Sequence, residues 1–110
     1  MANAKSQIKK GILELCVLSI TAGKDVYASD IIQTMKSKKL LIVEGTLYPL
    51  LTRLKNEGFL TYRWEESQSG PPRKYYIITT SGKKHLLELQ HSWNNIKISV
   101  DDIIQNSHTI

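Results

Sequence analysis

A chain of 110 residues, of which 41% are apolar, provides one compact domain with a modest core and is too short for two. The net charge of +5 is unevenly distributed, because the part up to Lys84 holds 14 basic and 7 acidic residues, whereas the part from His85 onward holds 1 and 3. No apolar run approaches the length of a membrane span and the first residues lack the pattern of a secretory signal, so we expect a cytoplasmic protein whose first part binds a polyanion.

The N-terminal part of the chain predicts two helices. Residues 6–20 place apolar side chains on nearly every side of a helix, which indicates packing partners on more than one side, including a second subunit. Cys16 lies in this helix and is the single cysteine, so it cannot form an internal disulfide, and we expect a buried thiol without a redox role. Residues 27–37 predict a shorter second helix with Ser29 as its N-cap.

The segment from Glu44 to Gly58 predicts a third helix with one buried stripe. Its leucines follow the three-and-four spacing of a single helix face, at Leu47, Leu50, Leu51 and Leu54. Gly58 provides the stop, and because proline is tolerated only in the first turn, Pro49 predicts a start near Gly45 or Thr46. The opposite face, which has Tyr48 at its edge, consists of Gly45, Pro49, Thr52, Arg53 and Asn56.

Residues 59–80 predict a β-hairpin, because two runs rich in aromatic and β-branched residues flank a polar stretch. We expect Gly70-Pro71-Pro72 at the tip of this hairpin, with Arg73 and Lys74 at its mouth. Trp64 lies in the first run, and we expect it to be a strand residue that covers the core.

A last helix is predicted over residues 83–105. Six of its apolar side chains alternate at spacings of three and four residues, which is the a/d seam of a coiled coil, at Leu86, Leu89, Trp93, Ile96, Val100 and Ile103. Little of the sequence remains to cover this seam, so it predicts a homodimer in which the seam meets its own copy. The histidines have no companions at metal-ligand spacing, so we predict no metal or cofactor and expect surface positions for His85, His91 and His108.

These elements together predict an α+β, mostly helical fold, which is a winged helix-turn-helix with a long C-terminal dimerisation helix. Residues 1–80 form the DNA-binding part in this prediction, and residues 81–110 form the dimerisation helix of the same compact unit. The leucine stripe holds the third helix on the core, so its outer face is free to enter a major groove while the basic wing lies on the neighbouring backbone. This arrangement predicts DNA contacts at Tyr48, Pro49, Thr52, Arg53, Arg73 and Lys74.

Two segments of this sequence resemble the PadR-type transcriptional regulators. The first runs from Gly45 to Leu60 and contains TLYPLL, and the second contains GPPRKYY and continues to Gly82. The resemblance covers roughly residues 6 to 84, favours repression over activation, and implies DNA contacts at Thr46, Tyr48, Arg53, Arg73 and Lys74. The single helix after the hairpin is similar to the short branch of the family, whose C-terminal helix makes the dimer. The second helix departs from the pattern, because it begins Tyr27-Ala28-Ser29 where many members have Gly-Tyr-Glu.

The resemblance also implies that Trp93 can form part of a ligand-binding site. In some short members a tryptophan of the C-terminal helix lines a pocket for flat aromatic compounds, and Trp93 occupies the corresponding place. Two large rings across a two-fold axis can hold a planar aromatic effector, cationic or neutral, by stacking. The alternative is that Trp93 only packs in the dimer interface.

Other functional classes are weaker. The sequence contains no G-x-S-x-G, P-loop or dinucleotide fingerprint, so we predict that the protein is not an enzyme. The remaining alternative is a winged-helix module that binds RNA or a protein partner and senses no effector, and an operator with inverted half-sites distinguishes the two. For single residues, the alternatives are that Tyr48 packs on the second helix and that Arg53 pairs with Glu57.

Overall fold

The computed structural model of the chain describes residues 12–107. These residues form four helices and a two-stranded antiparallel sheet, in the order that the sequence predicts. The elements are α1 (Leu13–Gly23), α2 (Ala28–Ser37), α3 (Glu44–Asn56), β1 (Leu60–Ser67), β2 (Gly70–Ile78) and α4 (Thr80–Ser107). Within this range, none of the helices combines the length and the apolar character needed to cross a membrane.

One hydrophobic core lies between the first three helices and the sheet. Val17 of α1 and Ile31 of α2 have no exposed surface, and the same is true of the α3 residues Leu47, Leu51 and Leu54. Leu50 is partly buried against this core. The predicted leucine stripe of α3 is therefore confirmed, and it leaves the other side of the helix in solvent.

The first predicted helix lies partly outside the described residues. Within them, the helix begins at Leu13 and continues to Gly23, three residues beyond the predicted end. Cys16 is only partly buried in the single chain, and this burial raises the pKa of its thiol. The expected full burial of Cys16 is therefore not reached by the contacts of one chain alone.

The N-terminal ends of α2 and α3 differ from their predictions. Ser29 is not the N-cap of α2, because the helix is preceded by Tyr27, whose backbone N–H donates to Oδ2 of Asp30 at 2.9 Å. An acidic side chain at the third helical position satisfies this donor, so Ser29 lies in the first turn instead. The third helix begins at Glu44, which makes Pro49 its sixth residue and places the proline beyond the predicted first turn.

The hairpin is the wing of the fold, and its turn lies before Gly70-Pro71-Pro72, the segment where the sequence predicts it. Ser67 pairs with Gly70, so residues 68 and 69 form the turn and Gly70-Pro71-Pro72 opens β2. Proline is tolerated there because a strand end needs fewer ladder hydrogen bonds than a strand interior. Val26, between α1 and α2, exchanges two backbone hydrogen bonds with Tyr76 at 3.1 and 2.7 Å, which fastens the wing to the helices.

The last helix is longer than predicted, with 28 residues from Thr80 to Ser107. Thr79 caps its start, because Oγ1 of this residue accepts a hydrogen bond from the N–H of Gly82 at 2.9 Å. Leu86 is buried and Leu89 packs partly against the core, so the prediction that the seam lacks cover within the chain is wrong for these two residues. The later seam residues remain solvent-exposed.

Two more sequence-based expectations need correction. Trp64 lies in a strand as predicted, but it is 61% exposed and does not cover the core. His85 is not a plain surface residue, because its ring stacks on Phe59 with centroids 4.1 Å apart. His91 is exposed, as predicted, and His108 lies outside the described residues.

Candidate nucleic-acid interface

The outer side of α3 is polar and exposed to solvent. All five α3 residues that the sequence predicts as DNA contacts are exposed: Thr46, Tyr48, Pro49, Thr52 and Arg53. Tyr48 is 48% exposed, so a large part of its surface remains accessible to a partner. A helix with a fully buried stripe on one side and exposed hydroxyls and a guanidinium on the other has the geometry of a helix that enters a major groove.

A cleft of about 440 Å³ separates α3 from the wing and from the start of α2. It brings Tyr48 and Thr52 of α3 to the same opening as Arg73 and Lys74 of β2. Pro49 and Arg53 lie outside this cleft, along a shallower depression on the outer face of α3. Thr46 is exposed but lines neither of the two surfaces.

Arg73 is held against the start of α2. Its guanidinium lies 4.3 Å from the ring centroid of Tyr27 and donates a hydrogen bond to Oγ of Ser29 at 2.7 Å. The Tyr27 ring in turn meets Tyr75 edge-on at 4.7 Å. The cation–π contact and the hydrogen bond fix the direction of a side chain that would otherwise lose considerable entropy on binding.

Lys74 stands on the opposite face of the same strand. Its ammonium lies 4.5 Å from the ring centroid of Tyr62 and 5.5 Å from that of Trp64. Trp64 is its direct cross-strand neighbour. Within the described part of the chain, no carboxylate forms a salt bridge with Lys74 or Arg73, so both cations keep their charge for a partner.

Arg63 shows the contrasting case on the same wing. Its guanidinium pairs with Asp25 at 3.1 Å and with Glu65 at 3.0 Å, and it also lies 4.5 Å from the Tyr75 ring. These carboxylates raise the pKa of Arg63 and neutralise it locally. Arg63 therefore ties the wing to the segment before α2 and offers little net charge to a polyanion.

Arg53 is bound by two carboxylates. One Nη donates to Glu57, four residues later on α3, at 3.0 Å, and the other donates to Glu14 of α1. The second oxygen of Glu14 lies 2.9 Å from Nε2 of His85 on α4. Burial raises the pKa of Glu14, but the hydrogen bonds from His85 and Arg53 outweigh it and hold this pKa below its ordinary value. A guanidinium has five N–H groups, so Arg53 keeps donors for another partner.

The cleft also contains residues that the sequence did not single out for this role. Tyr27 and Ser29 lie at its α2 side, Trp64 at its wing side, and Glu44 at the start of α3. Alternation along the strand places Trp64 on the same side as Tyr62. That Trp64 lies beside Lys74 in the cleft follows only from the pairing of β1 with β2, which the sequence does not give.

A second, apolar cavity of about 330 Å³ lies between α1 and α4. Trp93 lines it and is 36% exposed. The other lining residues are mostly aliphatic, and they are Ile12, Glu14, Leu15, Leu89, Ser92 and Ile96. Glu14 therefore borders this cavity and also binds Arg53 of α3.

Several solved proteins that share this fold and part of this sequence are described as regulators of transcription. Residues 17–88 match the transcriptional regulator PadR-like family. A PadR-like transcription factor from Bacteroides fragilis is 52% identical with a TM-score of 0.77, covering 93% of this chain and 99% of its own. A PadR-like transcriptional regulator from Bacillus cereus is 35% identical with a TM-score of 0.79, covering 90% and 97%. An uncharacterized protein of Lysinibacillus sphaericus is 32% identical over 100 residues, covering 88% of this chain and 92% of its own. The chain therefore belongs to the PadR-like family of transcriptional regulators, which makes it a winged-helix DNA-binding regulator and not an enzyme.

Proposed function

We propose that this protein represses transcription in the cytoplasm as a homodimer bound to an inverted-repeat operator. The observation that carries the proposal is the cleft between α3 and the wing, where exposed polar groups of a helix share one opening with two cations that form no salt bridge within residues 12–107. A winged helix places its recognition helix in the major groove, and wing cations gain from counterion release on the flanking backbone. A two-fold dimer then requires two half-sites in inverted order.

The interface residues take different roles in this proposal. Tyr48, Pro49 and Thr52 face the groove from the middle of α3, Thr46 lies at its N-terminal end, and Arg53 reaches base edges with the donors that Glu14 and Glu57 leave free. Lys74 and Arg73 bind phosphates, because both lie on the wing without a carboxylate partner in the described part of the chain.

Selection of bound fragments from the organism's own DNA tests the proposal and yields the operator. With that operator, Arg53→Ala is expected to reduce the preference over random duplex by about 1–3 kcal/mol, because a base contact discriminates between sequences. Lys74→Ala is expected to weaken both duplexes similarly and to reduce the slope of log K against log salt by about 1. Lys97→Ala, an exposed lysine on α4 away from the cleft, is the matched control and changes neither quantity.

Equal losses on operator and random duplex for both variants would remove this division of roles. Recovered fragments without inverted half-sites would contradict the dimeric operator. If the protein prefers structured RNA to every recovered duplex, or binds no nucleic acid, the scaffold serves as an RNA-binding or protein-binding module instead. Transcription measured from the recovered promoter with and without the protein decides between repression and activation.

We also propose that the apolar cavity at Trp93 takes a planar aromatic effector that releases the DNA. Its volume of about 330 Å³ lies in the range of small-molecule sites, and its lining combines the indole of Trp93 with aliphatic side chains. A cationic aromatic compound gains a cation–π contact with the indole in addition to this apolar cover. Such a ligand shifts DNA binding only as far as it prefers one dimer shape over the other.

Titration with planar cationic dyes tests the effector site. Trp93→Ala is expected to weaken dye binding, whereas Trp64→Ala leaves it unchanged because Trp64 lies on the wing and does not line this cavity. Dye at saturating concentration is expected to weaken operator binding of the wild type. If Trp93→Ala binds the dye as well as the wild type does, Trp93 only packs in the interface.

A further inference from the structure

We infer that the indole of Trp64 makes an apolar contact with DNA, packing against the deoxyribose of the strand whose phosphate Lys74 binds. This inference rests on the proposed DNA-binding function and adds a residue to its interface. Trp64 is 61% exposed, in the middle of the wing and at the edge of the cleft. A large indole surface left in water beside the Lys74 cation gains free energy when a partner covers it.

The orientation of Trp64 is defined by its neighbours. The Tyr62 ring meets it edge-on with centroids 5.9 Å apart, and Lys74 lies opposite it on β2. Across the cleft stand Tyr48 and Thr52 of α3. Trp64 therefore lies on the side of the wing that faces the recognition helix, where a DNA strand would pass between the two elements.

The chemistry beside Trp64 favours a sugar as its contact. The Lys74 ammonium lies 5.5 Å from the indole centroid and can bind a phosphate beside it. Along one strand each phosphate is followed by a deoxyribose, so an apolar ring next to a phosphate-binding cation meets the sugar. Base edges are reached from α3 and carry the sequence information. A sugar contact by Trp64 thus strengthens binding to any duplex.

If Trp64 instead only positioned Lys74, its removal would change the salt dependence of DNA binding, which a direct contact by the indole does not affect. The Lys74 ammonium lies nearer to Tyr62, at 4.5 Å, than to Trp64, so Tyr62 still holds it when the indole is removed. Loss of an apolar contact releases no counterions, and the salt dependence of binding stays the same. If Trp64 acted only by placing Lys74, its removal would lower the salt slope as Lys74→Ala does.

The experiment measures binding of the full chain to the selected operator and to random duplex over a range of salt. Trp64→Ala is expected to weaken both about fivefold at every salt concentration, as the covering of a few tens of Å² of indole surface gives, with an unchanged slope. The affinity of Trp64→Phe is expected to lie between those of the wild type and Trp64→Ala, since the smaller ring keeps part of the contact. Because Trp64 is exposed, both variants are expected to have a thermal midpoint close to that of the wild type, and measuring it checks that they fold.

A spectroscopic readout accompanies the affinities. In a Trp93→Phe background Trp64 is the single tryptophan, and added operator is expected to shift its emission to the blue and to protect it from acrylamide. Wild-type affinity of Trp64→Ala, unchanged emission, or a slope reduced as in Lys74→Ala would each overturn the contact while leaving DNA binding intact. Absence of duplex binding by the wild type would instead remove the proposed function, and this inference with it.

Discussion

The carboxylate of Glu14 on α1 binds the guanidinium of Arg53 on α3, 39 residues further along the chain. Because the second Glu14 oxygen lies 2.9 Å from His85, one side chain links α1 to both the recognition helix and the C-terminal helix. Glu14 also borders the cavity at Trp93. The proposed ligand site and the proposed DNA-reading helix therefore share one charged group.

Replacing Glu14 by glutamine tests the strength of this link. Glutamine keeps an oxygen that accepts from Arg53 but removes the charge, so the free energy of unfolding at pH 7 is expected to fall by about 0.5–1 kcal/mol. Since the folded pKa of Glu14 lies below its ordinary value, its charge stabilises the fold fully above the unfolded pKa and loses this effect as the pH falls through the folded pKa. The difference between wild type and Glu14→Gln in urea unfolding is thus expected to shrink below about pH 4.3.

The control for this measurement is Glu88→Gln on α4, which forms no salt bridge among the described residues. It is expected to leave the free energy of unfolding within about 0.5 kcal/mol at each pH. A Glu14→Gln deficit of equal size at neutral and acidic pH would mean that packing of this side chain, and not its charge, holds the three helices together.

The regular parts of the fold follow from short-range patterns. The stripe of Leu47, Leu51 and Leu54 is predictable because residues three and four apart share a helix face. Ser29 is wrong as the cap of α2, because cap assignment depends on backbone angles that composition does not set. The structure uses Asp30 and the N–H of Tyr27 instead.

The candidate site was less predictable, because its contacts join distant segments. The pair of Arg53 with Glu57 is visible in sequence at a spacing of four residues, whereas the pair with Glu14 requires the packing of α1 on α3. Likewise, the hydrogen bond of Arg73 to Ser29 spans 44 residues. Trp64 shares the core-facing side of β1 with the buried Leu60, but it lies four residues nearer the turn, where the core no longer covers it, and alternation alone does not indicate where that cover ends.

Two helix ends share a left-handed residue whose N–H bonds three residues back, but one of them has lysine there and the other glycine, which provides a matched test. After α2, Lys39 has φ 62° and its N–H bonds to Lys36, and after α3, Gly58 has φ 84° and its N–H bonds to Lys55. This left-handed position favours glycine. Lys39→Gly is therefore expected to raise the free energy of unfolding by about 0.5 kcal/mol, and Gly58→Ala to lower it by about 1 kcal/mol.

Chemical denaturation of both variants checks these signs. Lys38→Gly is the control for Lys39→Gly, because Lys38 has φ −98° and gains nothing from glycine. If Lys39→Gly destabilises the protein as much as Lys38→Gly does, the left-handed backbone at Lys39 carries no strain in solution.

Gly82, in the first turn of α4, allows the helix to approach the end of β2. A Cβ atom there would overlap the carbonyl oxygen of Phe59 and lie 2.7 Å from Cγ1 of Ile78. Since a backbone carbonyl cannot turn aside as a flexible side chain can, Gly82→Ala is expected to cost about 3 kcal/mol. Gly23→Ala is the control, because a Cβ at Gly23 has open space around it and the thermal midpoint is expected to stay near that of the wild type. Equal midpoints for the two variants would show that α4 shifts to accept a side chain.

The outer part of α4 provides the surface for the proposed dimer. Leu86 and Leu89 are used within the chain, but beyond them every described residue of the helix is exposed. Ile96, Val100 and Ile103 remain 56%, 45% and 67% exposed along one side of a helix about 42 Å long. Apolar side chains at this spacing over two further turns are typical of a helix that meets a partner.

Replacing both Val100 and Ile103 with aspartate is expected to give folded monomers, because these side chains are exposed in the single chain and aspartates facing their own copies repel. Operator binding is expected to weaken at least about tenfold, since the second half-site is no longer held at high effective concentration. Ile98→Asp is the matched control: Ile98 is 65% exposed but lies on nearly the opposite side of the helix from Ile96, so the dimer and its DNA affinity are retained. Sedimentation at micromolar concentration checks the assembly of all three proteins. A monomeric wild type, or a control that dissociates as readily as the double variant, would show that this seam does not hold the subunits together.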